Sequence, residues 1–445
     1  MQSESLNIGM QLQLFLDDWL IETMKNLALK LHSPQPREIV IRADRPYETP
    51  TLYDPVVIKD GEFYRLWYRT NFDAPPYYTG YAESSDGICW TKPSLNLIEH
   101  NGSTDNNLLW QAGEDDGYVL SIFKDGNPKA SDTERYKAIA VSKRGMVGLV
   151  SPDGIQWKYL QQEPIIVGPE GDEAFDSHNI AFWDSVHGHY VAYLRGWRGG
   201  IRRIRRGISS DFRHWSELEY LDLSDSPPEH LYKNAATPYY RRPDIYLMFP
   251  KRFLPERKFD PDHSFSGLSD IVFMFSRDGL RWDRQFMEGF IRPGRDWKNW
   301  HERAIEVGSG LVPTGDGEMS LYMVANYRTP SVHIRRMALR EDGFVSVHAQ
   351  YAGGEMVTKL LTFEGHELVI NYSTSAAGSI RVEIQDVKGK PIPSFTLAES
   401  AEIYGDELER VVAWNGNSDV SLLAGKLIHL RFVLKDADLY SICFR

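Results

Sequence analysis

The 445-residue chain has two cysteines, Cys89 and Cys443. Two lone thiols give neither a disulfide framework nor a cysteine metal cluster. No apolar run reaches about 18 residues, which excludes a membrane-spanning helix. The start, MQSESLNIGMQLQLFLDDWL, lacks a basic segment followed by an apolar core. No signal peptide is read there, and a cytoplasmic protein is expected. Positive charge is also short: Lys and Arg number 50 against 62 Asp and Glu, a net charge of −12. That balance argues against broad nucleic-acid binding, which needs a basic footprint. The one basic run, RGGIRRIRRG from Arg198 to Gly207, reads as a solvated edge strand or as a local phosphate or carboxylate site. The sequence shows no glycine-rich phosphate loop, zinc-type histidine cluster or serine elbow. GSGLVPTGDG lacks the Lys-Ser/Thr finish of a P-loop. No cofactor and no metal are therefore expected.

Aromatics are plentiful, with 12 Trp, 23 Tyr and 20 Phe beside 35 Gly and 24 Pro. Such a composition favours strands and turns. One short pattern returns four times: SSDGICW (Ser84–Trp90), SPDGIQW (Ser151–Trp157), SSDFRHW (Ser209–Trp215) and SRDGLRW (Ser276–Trp282). ALREDGF (Ala338–Phe344) is a degenerate fifth copy. An aromatic strand-like segment accompanies each repeat, with Tyr64, Tyr136, Tyr190, Tyr246 and Tyr322 marking steps of 72, 54, 56 and 76 residues. A step of that size holds about four strands and their turns, and four-stranded units repeated radially make a β-propeller. Solenoid repeats are typically shorter, roughly 20–50 residues. The expectation is an all-β chain: a five-bladed β-propeller over residues 1–350 and a β-sandwich over 351–445. Residues 1–35 are expected to wrap the propeller and supply an edge strand. Each box is a turn device: its Asp bonds the turn backbone, its fourth residue takes an awkward dihedral, and its Trp packs between blades. The C-terminal segments HELVINYSTS and SIRVEIQD alternate apolar and polar residues and carry no box. They read as a bracing sandwich. A carbohydrate-binding module is the rival, resting on Trp414 and a few tyrosines.

A propeller lines its channel with the first strand of every blade. The candidates are YDPVVI, YVLSIF, DSHNIAFW, KNAATPYY and HERAIEVGSGLV. Acidic residues stand at their leading ends: Asp54, Asp176, Glu229 and Glu302. Carboxylates converging in a funnel suit glycoside hydrolysis, which uses one carboxyl as acid and another as nucleophile or base.

The layout resembles the five-bladed propeller glycoside hydrolases of families 43 and 32, including the sandwich appended in family 32. Within that group it is similar to bacterial family-32-like hydrolases. The resemblance is carried by LFLDDWLIE (Leu14–Glu22), YAESSDGICWTKP (Tyr81–Pro93), FDSHNIAFWD (Phe175–Asp184) and LVPTGDGEMSLY (Leu311–Tyr322). It implies a catalytic trio of Asp54, Asp176 and Glu229, with Glu229 as the acid, Asp54 as nucleophile or base, and Asp176 positioning the substrate. Glu302 is the reserve acid. His178, Asn179, Trp300 and His301 are plausible sugar contacts, and Lys251 and Arg252 could hold an anion. The family-32 motifs are altered here, since YDPVV stands for the usual NDPNG, FDS for RDP and EH for EC. Furanoside specificity and a retaining mechanism therefore do not follow. A glycosidase on a furanosyl or related glycoside is the first reading. A non-catalytic sugar-binding propeller and a glycoside phosphorylase are the alternatives.

Overall fold

The computed structural model describes residues 5–48, 50–71, 75–113, 115–170 and 175–445. Among these the chain is all-β, with three one-turn 3₁₀ segments as its helical elements. It divides into two compact units. One is Pro34–Ala338; the other joins the described part of Met1–Ser33 to Leu339–Arg445.

Within Pro34–Ala338 the strands form successive antiparallel meanders. The first sheet runs Leu52–Asp60, Phe63–Thr70, Tyr77–Ser84 and Leu108–Ala112. The second runs Tyr118–Lys124, Tyr136–Ser142, Gly145–Ser151 and Lys158–Tyr159. The third runs Ile180–Asp184, His189–Arg198, Ile201–Ser209 and Glu219–Tyr220. In the fourth repeat the strands fall into two three-stranded sheets. The break comes at Phe249-Pro250, where proline removes a ladder donor. Backbone bonds carry the pairing across it: Phe249 N to Asn234 O and Lys251 N to Lys233 O, each 3.0 Å. The last sheet orders Glu306–Val307, Glu318–Ala325, His333–Arg340 and then Gln35–Arg42. Its outer strand thus comes from the far end of the unit's sequence.

The first and last sheets also meet at their inner edges. Val57 N donates to Ser309 O at 2.9 Å and Ser309 N to Pro55 O at 2.8 Å. This approach needs glycine on both sides of Ser309: a Cβ at Gly308 would lie 2.0 Å from Pro55 O, and one at Gly310 would lie 2.0 Å from Val57 O.

The four boxes each follow a third strand. In the first, Ser84 Oγ accepts from Gly87 N at 2.9 Å, and Asp86 Oδ1 accepts from Ile88 N and Cys89 N at 2.7 and 2.8 Å. The ring N–H of Trp90 returns to Gly87 O at 3.0 Å. The fourth residue is left-handed in every copy: Gly87, Gly154 and Gly279 at φ 72–77°, and Phe212 at 65°. Its carbonyl or side chain meets the preceding sheet. Tyr322 of the last sheet donates to Gly87 O at 2.6 Å, Trp67 of the first to Gly154 O at 2.8 Å, and Tyr193 of the third to Gly279 O at 2.8 Å. Phe212 packs edge-on to Phe123 of the second, 5.6 Å between centroids. The first box engaging the last sheet makes this chain of contacts circular.

The sequence expectation for the N-terminal segment is corrected. Ile21–Lys25 pairs with Gly354–Thr358, and Leu27–Leu31 pairs with Val345–Ala349. Phe15, Leu20 and Ile21 are buried in the core of that same unit. The apolar run is therefore a core element of the second unit, and the edge strand of the last sheet is Gln35–Arg42 instead. The compact unit ends at Ala338, short of residue 350. Trp414 is buried, donates to Val382 O at 2.8 Å and packs edge-on to Phe395. It is part of the core and offers no stacking surface to a sugar.

Candidate functional site

The first strands of all five repeats line a cavity of about 660 Å³, through residues 56–59, 122–124, 180–183, 236–238 and 309–313. Its lining is mostly apolar. The charged residues lie just before these stretches in sequence, at the leading ends.

Asp54 opens the constellation. It takes a left-handed φ of 49° in the step before Pro55, a conformation that a non-glycine residue keeps only where its surroundings enforce it. The enforcing contact is Asp54 N donating to Glu306 Oε1 at 2.8 Å. The strand register slips between Tyr53 and Val56. The Asp54 carboxylate is buried, with Arg69 Nη2 2.8 Å from Oδ2 and Lys233 paired to Oδ1. Lys233 also pairs with Glu306, and Lys251 lies 3.1 Å from Glu306 Oε2. Tyr53 holds the cations together. Lys233 sits 3.6 Å over its ring, Lys251 donates to its hydroxyl at 2.5 Å, and Tyr327 stacks on it at 4.3 Å.

These contacts set the charge states. Burial pushes the Asp54 carboxyl up, but Arg69 and Lys233 outweigh it and hold the group well below the usual carboxylate range. Glu306 is lowered likewise, against burial, by Lys233 and Lys251. Burial pushes Lys251 down to about 7, with Glu306 opposing. Burial also pushes His178 down to about 4, opposed by Asp54, so the imidazole is neutral near pH 7. Its Nε2 is buried without a hydrogen-bond partner among the described residues.

A second layer surrounds this core. Arg303 pairs with Glu302 and donates to the Tyr232 hydroxyl at 3.3 Å. Arg328 Nη1 lies 3.5 Å from Glu302 Oε2, an oxygen that accepts no hydrogen bond among the described residues. Asp176 is exposed on its side chain, 4.0 Å from Arg195 Nη1, and its charge is felt by Arg69. Asp54, Asp176, Glu302 and Glu306 thus face Arg69, Arg195, Arg202, Arg303, Arg328, Lys233 and Lys251, so cations outnumber carboxylates among the described residues.

Other residues singled out from the sequence fall elsewhere. Glu229 pairs with Arg284 and, at 3.2 Å, with Arg252, which also forks onto Asp270. Cross-strand partners share a face of a sheet and successive residues alternate. Leu231 is opposite Arg252 and Arg252 opposite Asp270, so Glu229 and Arg252 lie on one face while Lys251 turns to the other, toward Glu306. Glu229 thus sits between two arginines, not in the apolar wall expected of it. Asn179 bonds the backbone, donating to Phe175 O and Ser177 O and accepting from Arg195 N. Trp300 donates to Gly294 O and lies beside Phe259; His301 stacks on His263 at 4.8 Å. Sequence reasoning missed Arg69, Lys233 and Glu306. Their signal was positional: Lys233 and Glu306 stand at the same leading ends as Asp54, but a lysine there does not suggest a catalytic carboxylate set.

No protein-family model matches the chain. The uncharacterized protein Rv1502 of Mycobacterium tuberculosis is 30% identical over 139 residues, 30% of this chain and 41% of that protein. The chain thus spans well under half the length of the curated relatives it matches. Solved structures similar to it are carbohydrate-active. A fructofuranosidase from Schwanniomyces occidentalis, complexed with fructosylnystose, has a TM-score of 0.44 and 12% identity over 93% of this chain and 98% of that one. An α-L-arabinofuranosidase from Podospora anserina, in complex with cellotriose, has a TM-score of 0.46 and 11% identity over 70% and 98%. A structure from the GH130 family of mannoside phosphorylases and glycoside hydrolases has a TM-score of 0.44 and 14% identity over 73% and 96%.

Proposed function

We propose that Pro34–Ala338 is a five-bladed β-propeller, that the other unit is a β-sandwich, and that the chain is a glycoside hydrolase. Its site is the charged mouth at the leading ends of the inner strands. The observation that carries this reading is Asp54. It is a buried carboxylate kept ionised by Arg69 and Lys233, with Glu302 and Asp176 in the surrounding layer. Hydrolysis needs one ionised carboxylate to attack the anomeric carbon or to activate water, and one protonated carboxyl for the leaving oxygen. Asp54 takes the first part. Glu302 takes the second, because its Oε2 accepts no hydrogen bond among the described residues while Glu229 is paired on the opposite face. Asp176 orients the substrate. Lys251, near neutrality and bonded to Tyr53, is a reserve of protons beside Glu306.

The test is a screen of aryl glycosides, furanosides included, with wild type and Asp54→Asn. Release by wild type and its loss in a folded Asp54→Asn protein supports the reading. Sugar binding without release on every substrate leaves a non-catalytic propeller in its place.

A further inference from the structure

The arginines of the basic run Arg198–Gly207 differ in their surroundings. Arg205 is buried over Phe175 and donates to Arg195 O, and Arg206 pairs with Glu219. Arg202 has a different environment. Its guanidinium lies 4.6 Å from the ring centres of both Trp197 and Tyr232, and its polar neighbour is His230 at 3.3 Å. No carboxylate lies within 4 Å of it among the described residues. Tyr232 is at the same time approached by Arg195 at 5.6 Å, Arg303 at 5.9 Å and Lys251 at 5.3 Å. Four cations therefore gather around one aromatic ring, contributed by three successive repeats. Arg195 reaches Asp176 and Arg303 reaches Glu302, but Arg202 has neither. Its charge is disfavoured by burial and by Arg195 and Arg303, while Tyr232 and the more distant Asp176 oppose this.

Like charges so placed repel unless an anion joins them. We infer that Arg202, Arg195 and Arg303 around Tyr232 form an oxyanion subsite, and that the substrate is a glycoside presented together with a carboxylate or phosphate. Arginine suits the task, since its planar fork matches both groups and stacks on aromatic faces. Two sources of oxyanion fit: an acidic group on the sugar itself, or free phosphate beside it. The inference rests on the proposed glycosidase site, whose proton donor it touches. Arg303 pairs with that donor, Glu302.

The full chain is titrated calorimetrically with glucuronate, with inorganic phosphate and with neutral glucose, as wild type, Arg202→Gln and Arg202→Lys. Matched aryl glucuronides and glucosides are assayed for release with and without phosphate. The expected result is tighter binding of an anion than of glucose, weakened about 10- to 100-fold in Arg202→Gln, the range for losing a charged hydrogen bond. Arg202→Lys, which keeps charge without the fork, should fall between and shows that the site remains folded. Preference for the glucuronide assigns the anion to the sugar; glycosyl phosphate appearing only with phosphate assigns it to free phosphate. Turnover of neutral glycosides with no anion bound overturns this inference and leaves the glycosidase reading standing. Anion binding without turnover does the reverse. Equal binding by wild type and Arg202→Gln removes the subsite.

Discussion

Replacing Lys233 with methionine is the sharpest perturbation of the buried charge cluster. Lys233 pairs with both Asp54 and Glu306, and each of those side chains is about 1% exposed. After the change Asp54 keeps Arg69 at 2.8 Å and Glu306 keeps Lys251 at 3.1 Å. Two cations would then serve two buried carboxylates that three had balanced. Breaking a buried ion pair from one side costs about 3–5 kcal/mol, and the surviving partners place Lys233→Met near the lower figure. The pH dependence follows from the direction of the shifts. Both carboxyls are lowered in the folded wild type. Their stabilisation is therefore full above the unfolded value of about 4 and is lost as pH falls through the folded values. Removing Lys233 raises those folded values. A proton can then relieve the variant at mild acidity, so its deficit is larger at pH 7.5 than at pH 5. Urea unfolding of wild type and variant at the two pH values measures this. Adding Glu306→Gln should recover most of the loss at pH 7.5, because the stranded charge goes with it. A deficit below about 1 kcal/mol, or one equal at both pH values, refutes the argument that these are buried charges in mutual dependence.

Other outcomes follow from the same contacts. Gly310→Ala should block the junction of the first and last sheets, since its Cβ would meet Val57 O at 2.0 Å; the yield of soluble protein and the melting curve check it. Trp282 is fully buried and donates to Gly279 O, so Trp282→Ala should cost about 3–5 kcal/mol, read from urea midpoints. The half-buried Trp90 should cost less in the same assay. Burial lowers Lys251 to about 7, so its ε-carbon NMR resonance should titrate near neutrality while surface lysines titrate above about 10. A Lys251 resonance that stays constant through neutrality contradicts that placement.

The boxes were legible because their bonds close within seven residues: Ser84, Asp86, Gly87 and Trp90 satisfy one another locally. Asp54 was legible as a carboxylate beside a proline at the head of an inner strand. Glu229 was not, because its surroundings are decided by Arg284, 55 residues away, and by the face that Arg252 presents. The N-terminal segment was misplaced for a similar reason. Leu14, Phe15 and Leu16 would suit any open sheet edge, and only pairing with strands near Val345 and Gly354 selects one. The cations around Asp54 carry no short motif. Arg69, Lys233 and Lys251 come from three different strands or loops, and only the register of the sheets brings them together.

The central claim is that Asp54 and Glu302, with Glu229 excluded, form the hydrolytic pair. The direct measurement is kcat/KM for Asp54→Asn, Glu302→Gln and Glu229→Gln across aryl glycosides of graded leaving-group acidity. Loss of a general acid costs about 10²–10⁴-fold, and a leaving group that needs no proton escapes much of that cost. The account predicts such a graded loss for Glu302→Gln, a loss at every leaving group for Asp54→Asn, and turnover near wild type for folded Glu229→Gln. A graded loss in Glu229→Gln with Glu302→Gln unaffected would contradict it.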